Sequence, residues 1–252
     1  MESTCCQAAK NTTISMLAVA AGAIGMYAVA GRLESLRADD QKAPPVVTPG
    51  PFVETPPPEG AVVLFDGKDA SHWTQKGKPI KWKVVDGELR CAPGTGSIVS
   101  KDKFKDAEIH VEFCTPLMPD ATGQGRGNSG VYIQGRYELQ ILDSYKSDTY
   151  PDGQCGAIYK QHIPLKNVCR PPLEWQTYDI IFKGAHREGD KQINARVTVK
   201  QNGILILDDV ELKTVTPGEM DRKVNEEGPI LLQDHGNDVK FRNIWVKKLE
   251  TK

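Results

Sequence analysis

The sequence predicts an all-β domain built as a sandwich of antiparallel strands. Short segments alternate between apolar and polar residues, which is the period of a strand with one buried face. Turn pairs such as Asp66-Gly67, Asp86-Gly87 and Asn202-Gly203 separate these segments. No helix-length window repeats apolar residues with the helical period. Many short strands joined by such turns favour a sandwich.

The N-terminal part, residues 1–31, contains an uncharged and mostly apolar run at residues 14–30. Its length lies between a signal-peptide core and a membrane span. The small residues Ala28-Val29-Ala30 before Gly31 fit a cleavage site. We expect either a signal peptide or an uncleaved membrane anchor, and hence an exported protein in the periplasm or at the cell envelope.

Residues 32–60 are predicted to be a proline-rich, flexible linker. Seven prolines lie between residues 44 and 58, and proline supports neither helix interiors nor sheet ladders. Such a segment forms an extended spacer.

The globular domain is predicted over residues 61–250. Alternation and turn signals place strands in it at residues 61–65, 82–85, 88–91, 108–113, 193–199, 204–207 and 239–248.

Two further strands lie within residues 128–144 and are joined at Gly135-Arg136. One face is apolar and packs on the core. The other face carries an aromatic ring, two amides and a carboxylate: Tyr132, Gln134, Glu138 and Gln140. Amides and carboxylates hydrogen-bond sugar hydroxyls and rings stack on sugars, so this face is a candidate sugar site. An ordinary solvated sheet face is the alternative.

The segment Gln233-Asp234-His235-Gly236 is a second candidate, because Gly236 permits a bend that exposes His235 at a strand end. A turn with a solvated histidine is the alternative. Glu138 and Asp143 lie five residues apart and therefore on opposite faces of a regular strand. A glycosidase with two carboxylates on this strand is weakly supported.

Charge and composition exclude other classes of function. Lys plus Arg (32) balance Asp plus Glu (33), so no basic surface for nucleic acid is expected. No histidines lie at metal-ligand spacing, and we predict no cofactor. Calcium held by aspartates is an alternative to their being scattered on the surface, the available residues being Asp120, Asp148 and Asp152.

The cysteines of the predicted domain fall into two pairs. Cys155 and Cys169 flank one loop and are the disulfide candidate if the protein reaches an oxidising compartment. Cys91 and Cys114 lie in predicted strands, where a small buried apolar residue is expected.

Several strings together resemble the 3-keto-disaccharide hydrolase family. They run in order along the predicted domain: Leu64-Phe65-Asp66-Gly67, residues 82–89, residues 128–144, Cys155-Gly156-Ala157-Ile158-Tyr159, residues 174–179, Gln233-Asp234-His235-Gly236 and Phe241-Arg242-Asn243-Ile244-Trp245. The resemblance implies a concanavalin A/laminin G-like jelly-roll sandwich. It also implies cleavage of glycosides that are oxidised at C3, with a small oxidised sugar as the partner.

We assign roles from residue chemistry and membership of these strings. Glu138 is the candidate base and His235 its acid/base partner. Arg136 and Gln140 are candidate polarising and orienting groups. The other candidate substrate-binding residues are Asn128, Asp234, Tyr132 and Gln134. A non-catalytic carbohydrate-binding module and an inert cell-surface domain are the alternative functions, and oligomeric state stays open.

Overall fold

The computed structural model describes residues 42–250, and fifteen strands lie within them. In chain order they are β1 (Val62–Phe65), β2 (Trp73–Thr74), β3 (Lys83–Val85), β4 (Glu88–Arg90), β5 (Ile98–Phe104), β6 (Ala107–Cys114), β7 (Asn128–Ile133), β8 (Tyr137–Leu142), β9 (Gln176–Lys183), β10 (His186–Glu188), β11 (Lys191–Ile193), β12 (Ala195–Gln201), β13 (Ile204–Leu212), β14 (Gly228–Leu232) and β15 (Lys240–Lys248). Two short 3-10 turns, Gly123–Gly125 and Pro151–Gly153, lie in the loops.

The strands form two main antiparallel sheets. The larger has the order β13-β12-β9-β6-β15-β4-β3, and β1 also pairs with β15. The smaller has the order β2-β5-β14-β7-β8, and β10 with β11 forms a separate hairpin. The predicted all-β sandwich of antiparallel strands is confirmed.

Buried aromatic residues join β8, at the edge of the smaller sheet, to β9 of the larger sheet. The Tyr137 ring on β8 lies 5.9 Å from the Phe182 ring on β9. Tyr178 on β9 donates its hydroxyl hydrogen to the carbonyl of Gln140 on β8 at 2.6 Å. All these residues are buried, so β8 is fixed against the opposite sheet.

One predicted strand is divided in the structure. Residues 193–199 belong to two strands, because β11 pairs with β10 whereas β12 pairs with β9 and β13. Asn194 lies at the change of partner, and its amide donates to Glu211 at 2.9 Å. The alternation of apolar and polar residues does not show where the chain changes from one pairing strand to another.

Part of the predicted linker is hydrogen-bonded to the domain in the residues that the structure describes. The main-chain N–H of Val47 donates to the carbonyl of Asn167 at 2.9 Å. The Thr55 carbonyl accepts from the side chains of Asn243 at 3.0 Å and Trp245 at 3.2 Å. Proline removes a main-chain donor but leaves the carbonyl acceptors. Residues 45–55, which we call the strap, therefore bind the loop at Asn167 and strand β15 of the larger sheet.

Between residues 42 and 250 no helix is long and apolar enough to cross a membrane. The predicted signal peptide or anchor, residues 1–31, lies outside the described residues.

Candidate active site

A cavity of about 190 Å³ lies against the polar face of β7 and β8. Its walls combine amides, tyrosines, one carboxyl group and one imidazole. They come from Gln124, Asn128, Tyr132, Glu138, Gln140, Tyr159, Pro217, Gln233 and His235. Five residues of the predicted site therefore meet here: Glu138, His235, Asn128, Gln140 and Tyr132.

Register and a glycine place the Glu138 side chain in the cavity. Glu138 pairs with Tyr132, and Gln140 pairs with Gly130. A Cβ at position 130 would lie 2.5 Å from Oε1 of Glu138. Glycine therefore leaves the space that the carboxyl group occupies, which explains the Ser-Gly-Val sequence in β7.

Burial changes the acidity of this carboxyl group. Glu138 is only 4% exposed. Burial disfavours the ionised form and raises the pKa of Glu138 to about 7, although a hydrogen bond from Tyr132 opposes the shift. Near neutral pH the group can both accept and return a proton, as a general base requires.

Tyr132 lies between the carboxyl group and a main-chain carbonyl. Its hydroxyl oxygen is 3.1 Å from Oε2 of Glu138 and 2.9 Å from the carbonyl oxygen of Pro217. A phenol has one proton, so it donates to only one of these acceptors at a time. Burial, together with the neighbouring carboxyl group, raises the pKa of Tyr132 well above its usual value.

Amide side chains form the other wall. The Asn128 amide donates to the carbonyl of Gln124 at 3.0 Å, and the Gln124 amide donates to the carbonyl of Gly153 at 2.8 Å. With its nitrogen turned to the carboxyl group, Gln140 donates to Oε1 of Glu138 at 3.1 Å. The Oε1 atom of Gln233 is buried and has no hydrogen-bond partner among the described residues. These groups suit sugar hydroxyls, which both donate and accept.

His235 lies at the exposed side of the cavity. Gly236 has a φ of +86°, as the predicted bend requires. Asp234 is not in the cavity wall, because its carboxylate accepts from the main-chain N–H groups of Gly96 at 2.7 Å and Gly236 at 2.8 Å. Although burial opposes it, these bonds hold the pKa of Asp234 below its ordinary value. Asp234 therefore shapes the loop that presents His235.

Arg136 and Gln134 are also absent from the cavity wall. Arg136 is 1% exposed and pairs with Asp221 at 2.7 Å. It also donates to the carbonyl of Glu226 at 2.9 Å and to Gln134 at 3.2 Å. Gln134 has a φ of +54° in the hairpin turn and donates to the carbonyl of Phe104 at 3.0 Å. Their polar groups are used in fixing this turn, so we remove both residues from the candidate site.

A larger cavity of about 500 Å³ lies beside the strap and contains a second buried carboxylate. Glu112 accepts from Arg242 at 2.6 Å and from Asn243 at 2.8 Å. Burial opposes ionisation, but the nearby His110 imidazole and these bonds hold the pKa of Glu112 below its usual value. A paired carboxylate is a poor general base, so this cavity is the weaker candidate.

Cys155 and Cys169 are buried free thiols in the structure. The amide of Gln201 donates to both sulfur atoms, at 3.5 and 3.6 Å, so the two thiols share one donor. The predicted disulfide is not formed in this structure, although the chain brings its two cysteines together. Cys91 and Cys114 are buried, as expected.

Within residues 42–250, no three His, Cys, Asp or Glu side chains are grouped as metal ligands. The aspartates considered for calcium therefore form no such group: Asp120, Asp148 and Asp152.

Four wall residues were not assigned to the site by sequence: Gln124, Tyr159, Pro217 and Gln233. Gln124 lies in a glycine-rich loop, and Tyr159 and Gln233 lie in the strings that resemble the family. The sequence therefore gave a reason to consider these three residues. It gave none for Pro217, because a main-chain carbonyl contributes its contact with Tyr132.

Solved structures resemble this fold over most of its length. One, of a candidate glycosyl hydrolase from Parabacteroides distasonis ATCC 8503, is 38% identical with a TM-score of 0.72 and covers 89% of this chain and 99% of that chain. A second from the same organism is 22% identical with a TM-score of 0.58, covers 76% of this chain and 95% of that chain, and shows the fold alone.

A curated relative and a family profile match the same region. The relative is a 3-keto-disaccharide hydrolase from Bacteroides thetaiotaomicron, 28% identical over 240 aligned positions, and the match covers 76% of this chain and 79% of the relative. The profile of the 3-keto-alpha-glucoside-1,2-lyase-like domain matches residues 60–247. The names of this family and of the curated relative both indicate a carbohydrate-active function. The chain belongs to the family of 3-keto-alpha-glucoside-1,2-lyase-like domains.

Proposed function

We propose that this domain cleaves 3-keto-glycosides by base-assisted elimination, with Glu138 as the base. The observation that carries the proposal is the single buried carboxyl group, with a pKa of about 7, in a wall of amides and tyrosines. Among the described residues lining this cavity, no second carboxylate accompanies it. An ordinary glycosidase uses two carboxylates on either side of the glycosidic bond.

The chemistry of a 3-keto sugar needs only one base. A ketone at C3 acidifies the hydrogen at C2, and Glu138 takes this proton while the electron pair forms an enolate. The enolate re-forms the ketone, a C1–C2 double bond appears, and the C1–O bond breaks. The leaving group takes a proton from His235. Water then adds its oxygen to C1 and gives a proton back to His235, while Glu138, having exchanged its proton with solvent, protonates C2. The sum is hydrolysis to a 3-keto sugar and an alcohol.

The size of the cavity indicates that only one part of the substrate lies inside it. At about 190 Å³ it is smaller than the roughly 300–1,000 Å³ of pockets for drug-sized ligands. We assign the 3-keto ring to the cavity and the leaving group to the exposed side, beside His235. Asn128, Gln140 and the free Oε1 of Gln233 would bind ring hydroxyls.

Product analysis tests this function. The full chain is incubated with 3-keto-trehalose or an aryl 3-keto-glucoside, and products are followed by mass spectrometry. We expect 3-ketoglucose or its unsaturated precursor from the wild type, and a loss of about 10²–10⁴-fold in Glu138→Gln. Saturable binding of these sugars without any product would contradict catalysis and support the binding module.

We also propose that the chain is exported, on the basis of the apolar run at residues 14–30 and the small residues before Gly31. Cell fractionation followed by N-terminal sequencing tests it. A mature protein beginning at Gly31 would support cleavage, and an intact chain in the membrane fraction would support an anchor. An intact chain in the cytoplasm would contradict export.

A further inference from the structure

The proposed reaction places negative charge on the C3 oxygen, and this oxygen needs a hydrogen-bond donor. Arg136 was the expected donor, but it is bound to Asp221 and Glu226. Two phenols line the cavity, Tyr132 and Tyr159. The proton of Tyr132 is shared between the two acceptors described above. Tyr159 is therefore the phenol to consider for the C3 oxygen.

The main chain holds Tyr159 next to the base. Its N–H donates to the carbonyl of Glu138 at 3.1 Å, which fixes the segment beside β8. Its side chain enters the cavity wall, and its hydroxyl oxygen lies 2.8 Å from that of Tyr150. The two rings meet edge to face, with centroids 6.3 Å apart. Tyr159 is thus fixed both by its main chain and at its hydroxyl group.

Tyr150 is itself held tightly. The Nζ of Lys160 lies 3.4 Å from the centroid of its ring, and Asp152 pairs with Lys160 at 3.2 Å. On the main chain below the ring, a Cβ at Gly153 would lie 1.8 Å from a Tyr150 ring carbon. A cation on the ring face draws electron density from the phenol and makes its hydroxyl a better donor.

The direction of the hydrogen bond between the tyrosines follows from this arrangement. Lys160 lies 3.4 Å from the Tyr150 ring but 5.8 Å from the Tyr159 ring, so Tyr150 is the better donor and its hydroxyl hydrogen points to the oxygen of Tyr159. The oxygen of Tyr159 then accepts one bond, and its own proton is free to donate into the cavity. Accepting a bond also stabilises the charge that builds on this oxygen when it donates.

We propose that Tyr159 is a further catalytic residue, which donates to the C3 oxygen of the 3-keto sugar as the enolate forms. Tyr150 and Lys160 are positioning residues that act through Tyr159. This inference rests on the proposed function. It identifies the ketone as the group that the Tyr159 side of the cavity recognises.

Exchange at C2 isolates the enolisation step. The substrate is 1,5-anhydro-3-keto-glucitol, which has no glycosidic group at C1 and so forms the enolate without loss of an alcohol. The full chain is incubated with it in deuterated water, and C2 deuteration is followed by NMR against a protein-free control. We expect Tyr159→Phe to exchange about 10²–10³-fold more slowly than the wild type, as for loss of an oxyanion donor.

The variants separate chemistry from structure. Tyr159→Phe keeps the ring, so a role limited to stacking on the sugar would leave exchange at the wild-type rate and overturn the proposal. Tyr145→Phe is the matched control, because Tyr145 is also half-buried beneath a lysine, Lys146 at 5.2 Å, but does not line the cavity. Its exchange rate should equal that of the wild type.

Kinetics on the aryl 3-keto-glucoside test the positioning role. Tyr150→Phe should lower kcat about tenfold with KM unchanged, because it removes a bond that matters as charge develops. A raised KM with unchanged kcat would overturn that role.

A wild type that turns over keto-glycosides while Tyr159→Phe exchanges normally refutes only this inference. A wild type that neither exchanges nor turns over refutes the proposed function as well.

Discussion

At the scale of the residue, the chemistry of the site depends on how Glu138 is buried. Solvation by water would favour its carboxylate, but the cavity replaces water with a tyrosine hydroxyl and an amide. Two hydrogen bonds replace only part of that solvation. The protonated form is therefore favoured over the carboxylate, and the pKa rises to about 7. The same burial that activates the base also destabilises its ionised state in the fold.

The pH profile of the reaction should report this group. A general base must be ionised, so kcat/KM for a 3-keto-glycoside should rise with pH and level off above an apparent pKa of about 7. Initial rates between pH 5 and 9 measure it. A profile that is already flat at pH 5 would exclude Glu138 as the titrating base.

Stability should change with pH in the opposite direction to activity. The pKa of Glu138 is about 7 in the fold against 4.5 when unperturbed, so the native state binds this proton more tightly than the unfolded state. The contribution of Glu138 to stability is therefore greatest below about pH 4.5 and is lost as the pH rises through about 7. A shift of this size corresponds to roughly 3 kcal/mol.

Glu138→Gln removes the ionisation and should raise the free energy of unfolding at pH 8 relative to the wild type. The gain should shrink towards pH 5. Urea denaturation at the two pH values measures it, with the exposed Glu59→Gln as a control that shows no such difference. An equal effect of Glu138→Gln at both pH values would mean that the carboxyl group is not perturbed.

At the scale of the element, the β7–β8 hairpin forms the site through its register. Tyr132 opposes Glu138, and Gly130 opposes Gln140. One glycine among larger residues opens the space for the carboxyl group. The hairpin turn is held by Gln134 and Arg136, so the turn fixes the register that the site requires.

Filling that space should displace the base without breaking the strand. Gly130→Ala places a methyl group 2.5 Å from the present position of Oε1 of Glu138, and φ at Gly130 is not positive, so alanine fits the main chain. We expect about 10²-fold lower kcat, the effect of moving a reacting group by about 1 Å. Gly125→Ala is the control, because its methyl group would meet nothing within 4 Å. Wild-type kcat in Gly130→Ala would show that this position does not control the base.

Alternation predicted the polar face of the hairpin, and with it Tyr132, Glu138 and Gln140. It did not predict that this face is buried, since β7 and β8 are buried on both sides. Loops cover the face, and period-2 patterns carry no information about loops. Arg136 illustrates the same limit, because its partners Asp221 and Glu226 lie about ninety residues away in sequence.

At the scale of the whole molecule, the strap belongs to the domain. Its Phe52 ring lies 5.3 Å from the Arg242 guanidinium, which also stacks on Trp175 at 4.1 Å. The Thr55 carbonyl satisfies the indole N–H of the buried Trp245. The proline pattern predicts extended chain with few main-chain donors, and Val47 is a residue of the strap that does donate. The pattern does not predict that main-chain carbonyls of the strap accept hydrogen bonds from side chains of the larger sheet.

Removing the strap should therefore destabilise the sandwich. Compared with a chain beginning at residue 42, a chain beginning at residue 59 loses the acceptor for Trp245 and Asn243 and the contact of Phe52. We expect a loss of about 2 kcal/mol, or a Tm lower by roughly 4–8 °C. Calorimetry on the two chains measures the difference in Tm. Equal Tm values would show that the strap does not stabilise the domain.

The most direct test of the central claim is the isotope content of the first product. The full chain cleaves 3-keto-trehalose in deuterated water, and early samples are analysed by NMR, with released product incubated alone to correct for later exchange. If Glu138 removes the C2 proton, the 3-ketoglucose formed carries deuterium at C2, or the unsaturated precursor lacks hydrogen there. Product that retains its original C2 hydrogen from the first turnovers would contradict elimination and show direct displacement at C1.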